Sequence, residues 1–310
     1  ITITFFQACL ATLLVDAALL ACSFPAPLSL TLGAIAAATA PAATLMVVRQ
    51  YHAKGEVTST LLPVVAMDDA VGLMLFSISL PLSQALASNA TLTVTSMLLE
   101  PLLEIVLSLA VGAGIGLLIA MRFFHSKVNR ISVAVAAVLL GSALASIWNL
   151  SSLLLCMAIG AVLVNLRKDA DELLEITDAW TPPLFMLFFV LSGAELDLAV
   201  VPTVGLLGVV YMVARSLGKY FGSFLGATIA KSSPNIRKYL GLTLLPQAGV
   251  AIGMAQVALN ALPEYGTQIQ AVVLTATLIY ELIGPVITKL ALTAAGEIQD
   301  SKKSKAKTEQ

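Results

Sequence analysis

Charge is scarce in this chain. Only 11% of its 310 residues are Asp, Glu, Lys or Arg, where soluble domains carry roughly 25%, so a water-facing surface of the ordinary kind cannot be built from it. The formal net charge of −1 names no partner, and no nucleic-acid partner is expected. Cysteine is limited to Cys9, Cys22 and Cys156, all in apolar runs and without metal-ligand spacing. They read as small hydrophobes, not as disulfides or a zinc site. The two histidines, His52 and His125, fall between apolar runs and read as solvated loop residues. Strand-type alternation is missing, and so is a nucleophile–base pair. A β-fold, an enzyme and a bound cofactor are therefore not expected.

What remains is apolar. Hydrophobic residues make up 58% of the chain and the mean hydropathy is +0.94. Apolar tracts long enough to cross a bilayer as helices recur from end to end. The expected fold class is an all-α polytopic membrane protein. Ten spans are read, at about 1–22, 26–48, 58–86, 95–121, 131–148, 150–166, 181–197, 202–230, 236–261 and 268–292. The third could end earlier, at Pro81. The chain starts at Ile1, already inside an apolar tract, and helices preceding it are expected to be missing from this sequence.

Basic residues test the span order. Arg49 and Lys54, then Arg122, Lys127 and Arg130, then Arg167 and Lys168, then Lys231, Arg237 and Lys238 fall in alternate loops. Lys289, Lys302, Lys303, Lys305 and Lys307 close the chain on the same side. The opposite loops, 23–25, 87–94, 149–150, 198–201 and 262–267, hold no Lys or Arg. That asymmetry places the basic loops and the C-terminus in the cytoplasm. The expected location is a bacterial inner membrane. The tail 293–310 has the composition of a disordered segment lying near anionic lipid.

Two of the 17 basic residues do not fit this sorting, Arg215 and Lys219, both near the middle of span 202–230. Among the acids, Asp169, Asp171, Glu172, Glu175 and Asp178 form a cytoplasmic connector at 167–179, and Glu195, Asp197 and Glu264 sit at the outer face. Asp16, Asp68, Asp69, Glu104 and Glu281 are left at membrane depth. An ionisable group there is costly and is a functional candidate by default. The adjacent pair Asp68-Asp69 lies in the run Val64–Leu73, about ten residues into its span, or roughly 15 Å deep at 1.5 Å per residue.

Two spans carry helix breakers near their middles: Thr39-Ala40-Pro41-Ala42 in span 26–48, and Leu245-Pro246-Gln247-Ala248-Gly249 in span 236–261. Proline removes a backbone donor and clashes with the preceding turn. Irregular backbone at this depth is tolerated where it is buried in protein or lines a wet cavity. Spans one to three and eight to ten form matching triplets of helix, broken helix, helix, starting on opposite sides of the membrane. An inverted repeat with two crossed broken helices around a midplane ion site follows from that pattern. The expected organisation is a first core triplet at 1–86, connecting and scaffold helices at 95–197, and a second core triplet at 202–292.

Neighbouring residues on a helix point about 100° apart, so Asp68 and Asp69 cannot share one partner in the same way. One can pair with a buried cation while the other faces a water-filled cavity. Arg215 and Lys219 are four residues apart and share a helix face, so either is a partner. A cavity-facing carboxylate takes a proton or a monovalent cation in turn, and that competition suffices for an exchanger. Lys, unlike Arg, can also release its proton. Glu281 occupies the repeat position matching the aspartate pair and is a possible additional titrating group.

Thr39-Ala40-Pro41, Met67-Asp68-Asp69-Ala70-Val71-Gly72, Phe188-Phe189-Val190-Leu191-Ser192-Gly193-Ala194-Glu195-Leu196-Asp197, Arg215-Ser216-Leu217-Gly218-Lys219 and Leu245-Pro246-Gln247-Ala248-Gly249-Val250 follow one another in this order. The series resembles the monovalent cation:proton antiporters, in the aspartate-pair branch that includes sodium/proton and potassium/proton exchangers. The resemblance implies a core domain with crossed broken helices, a separate dimerisation domain, a homodimer and elevator-like alternating access. It implies that Asp69 binds the ion, that Asp68 pairs with Lys219, with Arg215 competing for that role, and that Thr39 lies near the ion. Pro41, Pro246, Gln247 and Gly249 would shape the breaks. Ala40 stands where some relatives have an acid, which puts more weight on Asp69. The expected function is exchange of Na⁺ for H⁺, with Li⁺ or K⁺ as other cations. A K⁺/H⁺ exchanger or a gated K⁺ efflux system on the same scaffold is the alternative.

Overall fold

A computed structural model describes residues 1–88, 99–122, 130–148, 150–167 and 201–298, together with Pro183, Met186, Leu187 and Val190. The described residues contain helices and no strands. Their order is α1 (Thr2–Ala21), α2 (Ala26–Ala36), α3 (Pro41–Gln50), α4 (Glu56–Ala87), α5 (Glu100–Arg122), α6 (Arg130–Trp148), α7 (Ser152–Leu166), α8 (Val201–Ile229), α9 (Pro234–Tyr239), a 3₁₀ turn (Leu240–Leu244), α10 (Gly249–Ala261) and α11 (Gly266–Ala294). Apart from those four residues, the predicted span 181–197 and its Phe188–Asp197 motif lie outside the described residues, as do the connector beyond Arg167 and the last twelve residues of the tail.

Five described helices are long and apolar enough to cross a membrane: Thr2–Ala21, Glu56–Ala87, Leu102–Met121, Ile131–Trp148 and Gly266–Ala294. Pro234–Leu244 and Gly249–Ala261 together add a sixth such segment, bent by 49°. Ala26–Ala36 and Ser152–Leu166 are shorter apolar helices. This is an all-α polytopic membrane fold. The helix α4 runs unbroken for 32 residues through Pro63 and Pro81. The earlier end considered at Pro81 does not occur.

The chain divides into two compact units, one of 1–90 with 196–310 and one of 91–195. In the second unit, α5 and α7 approach closely because Gly112 and Gly116 face the backbone of α7 at Leu155 and Ile159. Ile115, Ile119, Ala137, Ala145, Leu155 and Leu163 fill its core.

The first unit holds both broken helices. Its tightest pairing is α1 against α8, built on Gly218, Gly222 and Gly226 of α8. These glycines meet Ala11, Gln7 and Ile3 of α1 in that order, so the two helices run antiparallel. A Cβ on Gly222 would fall 2.6 Å from the Cα of Gln7. Small residues at four-residue spacing let two backbones approach in a lipid environment, where apolar burial alone does not drive helices together. The N-terminus of α4 has no side-chain cap of its own. Glu297, just past the end of α11, supplies one. It accepts hydrogen bonds from Val57 N at 2.6 Å, Thr58 N at 2.8 Å and the Thr58 hydroxyl at 2.7 Å. A carboxylate there answers both the unpaired amides and the positive helix end.

Candidate ion-exchange site

The first break covers 37–40, between α2 and α3, and the second covers 245–248, between the 3₁₀ turn and α10. Pro41 is the first residue of α3, a position where its missing N–H costs nothing and its fixed φ suits the helix. Gly249 likewise opens α10. The unravelled residues therefore precede Pro41 and Gly249. Pro246 and Gln247 lie inside the second break.

The breaks cross and are stitched together. Ala40 N donates to the Pro246 carbonyl at 2.8 Å. The Thr44 hydroxyl donates to Thr243 O at 3.2 Å, and the Thr39 hydroxyl reaches Leu244 O at 3.4 Å. Gln247 Nε2 donates to Ile35 O at 3.1 Å and to the Tyr211 hydroxyl at 2.9 Å. Several backbone groups freed by one break are thus offered partners by the other, as a site away from water requires.

Two buried cations on α8 serve the crossing differently. Arg215 donates from Nε to Ala36 O at 3.1 Å, from Nη2 to Ala38 O at 2.7 Å and from Nη1 to Leu245 O at 2.7 Å. Its guanidinium also lies 4.5 Å over the Tyr280 ring. The planar fork spans carbonyls of both breaks and offsets the negative ends of α2 and of the 3₁₀ turn. Lys219 donates to Ala37 O, to the Thr39 hydroxyl at 2.8 Å and to Asp68 Oδ2 at 2.9 Å. The Asp68–Lys219 ion pair is fully buried on both sides. The structure thus gives Asp68 to Lys219 and gives Arg215 to helix-end carbonyls.

The other oxygen of Asp68, Oδ1, accepts from Gln7 Nε2 on α1. Both oxygens of Asp68 are therefore engaged. Asp69 differs: it is only partly buried, and its Oδ1 is shielded from solvent with no hydrogen-bond partner among the described residues. Thr39, Asp68 and Lys219 form one contact network, with Asp69 adjoining it in sequence on α4. Glu281 stands apart, half-buried on α11 one residue after Tyr280. Asp16 is half-buried where α2 presents Gly33, and its Oδ1 is also unpartnered. Glu104 belongs to α5 in the second unit.

Gln7, Tyr211 and Glu297 are parts of this arrangement that a search for buried charge passes over. Gln7 and Tyr211 are neutral, and Glu297 sits at the start of what reads as tail. A lone amide in the run Ile3–Val15, whose other polar members are Thr4 and Thr12, is the signal that points to Gln7.

Over residues 1–294 the chain matches the transmembrane sodium/hydrogen exchanger family. The chain belongs to the sodium/hydrogen exchanger family. It is thus a member of a family of cation/proton antiporters. Among solved structures, the exchanger is similar in fold to the sodium proton antiporter MjNhaP1 from Methanocaldococcus jannaschii at pH 8, with a TM-score of 0.70 and 20% identity. That match covers 94% of this chain and 79% of the other. No curated protein sequence matches the chain.

Proposed function

We propose that this chain exchanges Na⁺ for H⁺ by alternating access, with Asp69 as the carrier. The observation that carries this reading is the difference between adjacent carboxylates. Asp68 is saturated by Gln7 and Lys219, while Asp69 keeps an oxygen with no partner. A carboxylate removed from water must be neutralised, and at Asp69 a proton or a monovalent cation does so in turn. Thr39 lies beside the pair through Lys219 and supports the cation. The Asp68–Lys219 pair keeps the second charge compensated while Asp69 is loaded and unloaded.

In this reading the unit of 1–90 and 196–310 is the ion-carrying core, and the unit of 91–195 belongs to the scaffold and dimer interface. The basic loops lie in the cytoplasm, with the C-terminus on the same side, and the protein sits as a homodimer in a bacterial inner membrane.

The test is proton movement in everted vesicles on addition of Na⁺, Li⁺ or K⁺. Wild type responds to Na⁺, and Asp69→Asn lowers the response by at least about 100-fold, on the scale of removing a charged group from a site. One proton and one cation compete for one carboxylate, so each tenfold rise in Na⁺ moves the acid-side half-maximum down by about one pH unit. A response to K⁺ alone would assign the potassium branch. An Asp69→Asn protein that exchanges like wild type would remove Asp69 from the role of carrier.

A further inference from the structure

Asp16 is an acid that the exchange site leaves unused. It is the one charged side chain of α1, six residues before Cys22. Its carboxyl is set into α2 at Gly33 and fills the room that a side chain there would take. A Cβ on Gly33 would overlap Asp16 Oδ1 and would fall 2.7 Å from Asp16 Cγ and 3.0 Å from the Thr12 carbonyl. In that notch Oδ1 is buried with no hydrogen-bond partner among the described residues. Thr12, one turn earlier on α1, is only 7% exposed, and its hydroxyl is likewise buried and unpartnered. Residues four apart lie on one face of a helix, so both unmet polar groups belong to the side of α1 that α2 covers.

No basic group answers this acid. The helix α1 packs against α2, α4 and α8. The first of these carries no charge, and α4 brings only the acids Glu56, Asp68 and Asp69. From α8 come Arg215 and Lys219, whose donors go to the carbonyls of Ala36, Ala37, Ala38 and Leu245, to Thr39 and to Asp68. The remaining titratable side chains are Tyr211 and Tyr220 of α8 and Cys9 of α1. Gly33 also opens the last turn of α2, the negative end of that helix. A carboxylate drawn from water without a counter-charge is neutralised. A proton does this and meets the second need as well. It makes the carboxyl a donor, and the Thr12 hydroxyl is a free acceptor on the same face.

We propose that Asp16 is a second proton-binding site of this chain, separate from the carrier pair, whose protonated carboxyl closes α1 onto α2 at Gly33. Release of the proton opens that contact, because an ionised Asp16 leaves the notch for water. The closed contact therefore binds the proton more tightly than the open one, and opening grows as pH rises until the closed form too has ionised. The inference goes beyond the antiport reading and stands without it.

The test uses the full chain in detergent with Asp16→Asn, which keeps the shape and stays neutral, and Gly33→Ala, which fills the notch. The infrared carboxylic-acid band is titrated with pH, and amide exchange is followed over 12–16 and 29–33. At neutral pH wild type shows an acid component that Asp16→Asn lacks and Asp69→Asn keeps. Gly33→Ala drives the carboxyl into water and moves that component to lower pH by at least about one unit. Over the pH range in which the open contact has ionised and the closed one has not, amide exchange there rises about tenfold per pH unit beyond its rise in Asp16→Asn. Identical acid bands in wild type and Asp16→Asn would mean that Asp16 is ionised and would overturn the proposal. Loss of the Asp16 component on adding Na⁺ at constant pH would overturn it too, by marking a metal-ion site. Should Asp16→Asn fail to fold, Gly33→Ala decides, since an unmoved band defeats the proposal. Absence of Na⁺ exchange in wild type would end the antiport reading and leave these readouts standing.

Discussion

At the residue scale, the two buried cations illustrate why Arg and Lys are not interchangeable. Arg215 distributes three donors over Ala36, Ala38 and Leu245, a fan that one ammonium cannot reproduce. Lys219 concentrates its charge on Asp68, Thr39 and Ala37. The assignment predicts distinct failures. Arg215→Met orphans three buried carbonyls at a cost of about 1–3 kcal/mol each. Its melting temperature in detergent falls far below that of Lys219→Met in the Asp68→Asn background, where the ion pair is removed from both sides. If Arg215→Met melts with wild type and yet does not exchange, Arg215 belongs to the ion path instead of the frame.

At the element scale, the end of α11 caps the start of α4. Glu297 makes three hydrogen bonds to Val57 and Thr58, and Lys54 N donates to the Glu297 carbonyl at 3.0 Å. Glu297→Ala is expected to destabilise the protein by about 1–3 kcal/mol. Amide exchange should speed up first at Val57 and Thr58, with the α1–α8 pairing unaffected. Uniform loosening of the whole unit, or none, would count against a local cap. This contact also marks where the sequence stops being legible. Apolar length located α1, α4 and α11, and the prolines located both breaks within a few residues, because these are local properties of the chain. That Pro41 opens a helix while Pro81 passes through one is decided by neighbours: the crossing supplies partners at 37–40, and nothing at Pro81 ends α4. Buried charge was enough to nominate Asp68, Asp69, Arg215 and Lys219. Which cation meets which acid depends on α8 lying against both breaks, and a neutral side chain such as Gln7 drops out of any inventory of charge.

At the scale of the whole molecule, the stitching of the two breaks constrains how access can alternate. Ala40 to Pro246, Thr44 to Thr243, Gln247 to Ile35 and the Arg215 fork all tie one broken helix to the other. Pulling the breaks apart to open a path would orphan these groups together, at about 1–3 kcal/mol apiece. A motion that carries both breaks as one body leaves every bond intact. Fixing the crossing should then leave transport running. Thr44 and Thr243 are in contact, with the Thr44 hydroxyl 3.2 Å from Thr243 O, and neither touches the carboxylates. In a background with Cys9, Cys22 and Cys156 replaced by Ser, Thr44→Cys with Thr243→Cys can be joined by a short bis-methanethiosulfonate reagent, each thiolate displacing methanesulfinate to form a reducible disulfide. The joined protein is expected to keep at least about half of the exchange rate of the unjoined one, since the link adds a covalent tie where non-covalent ones already hold. Exchange that stops on joining and returns on reduction would mean that the breaks part during each cycle. The core would then open at its own crossing instead of moving as a unit.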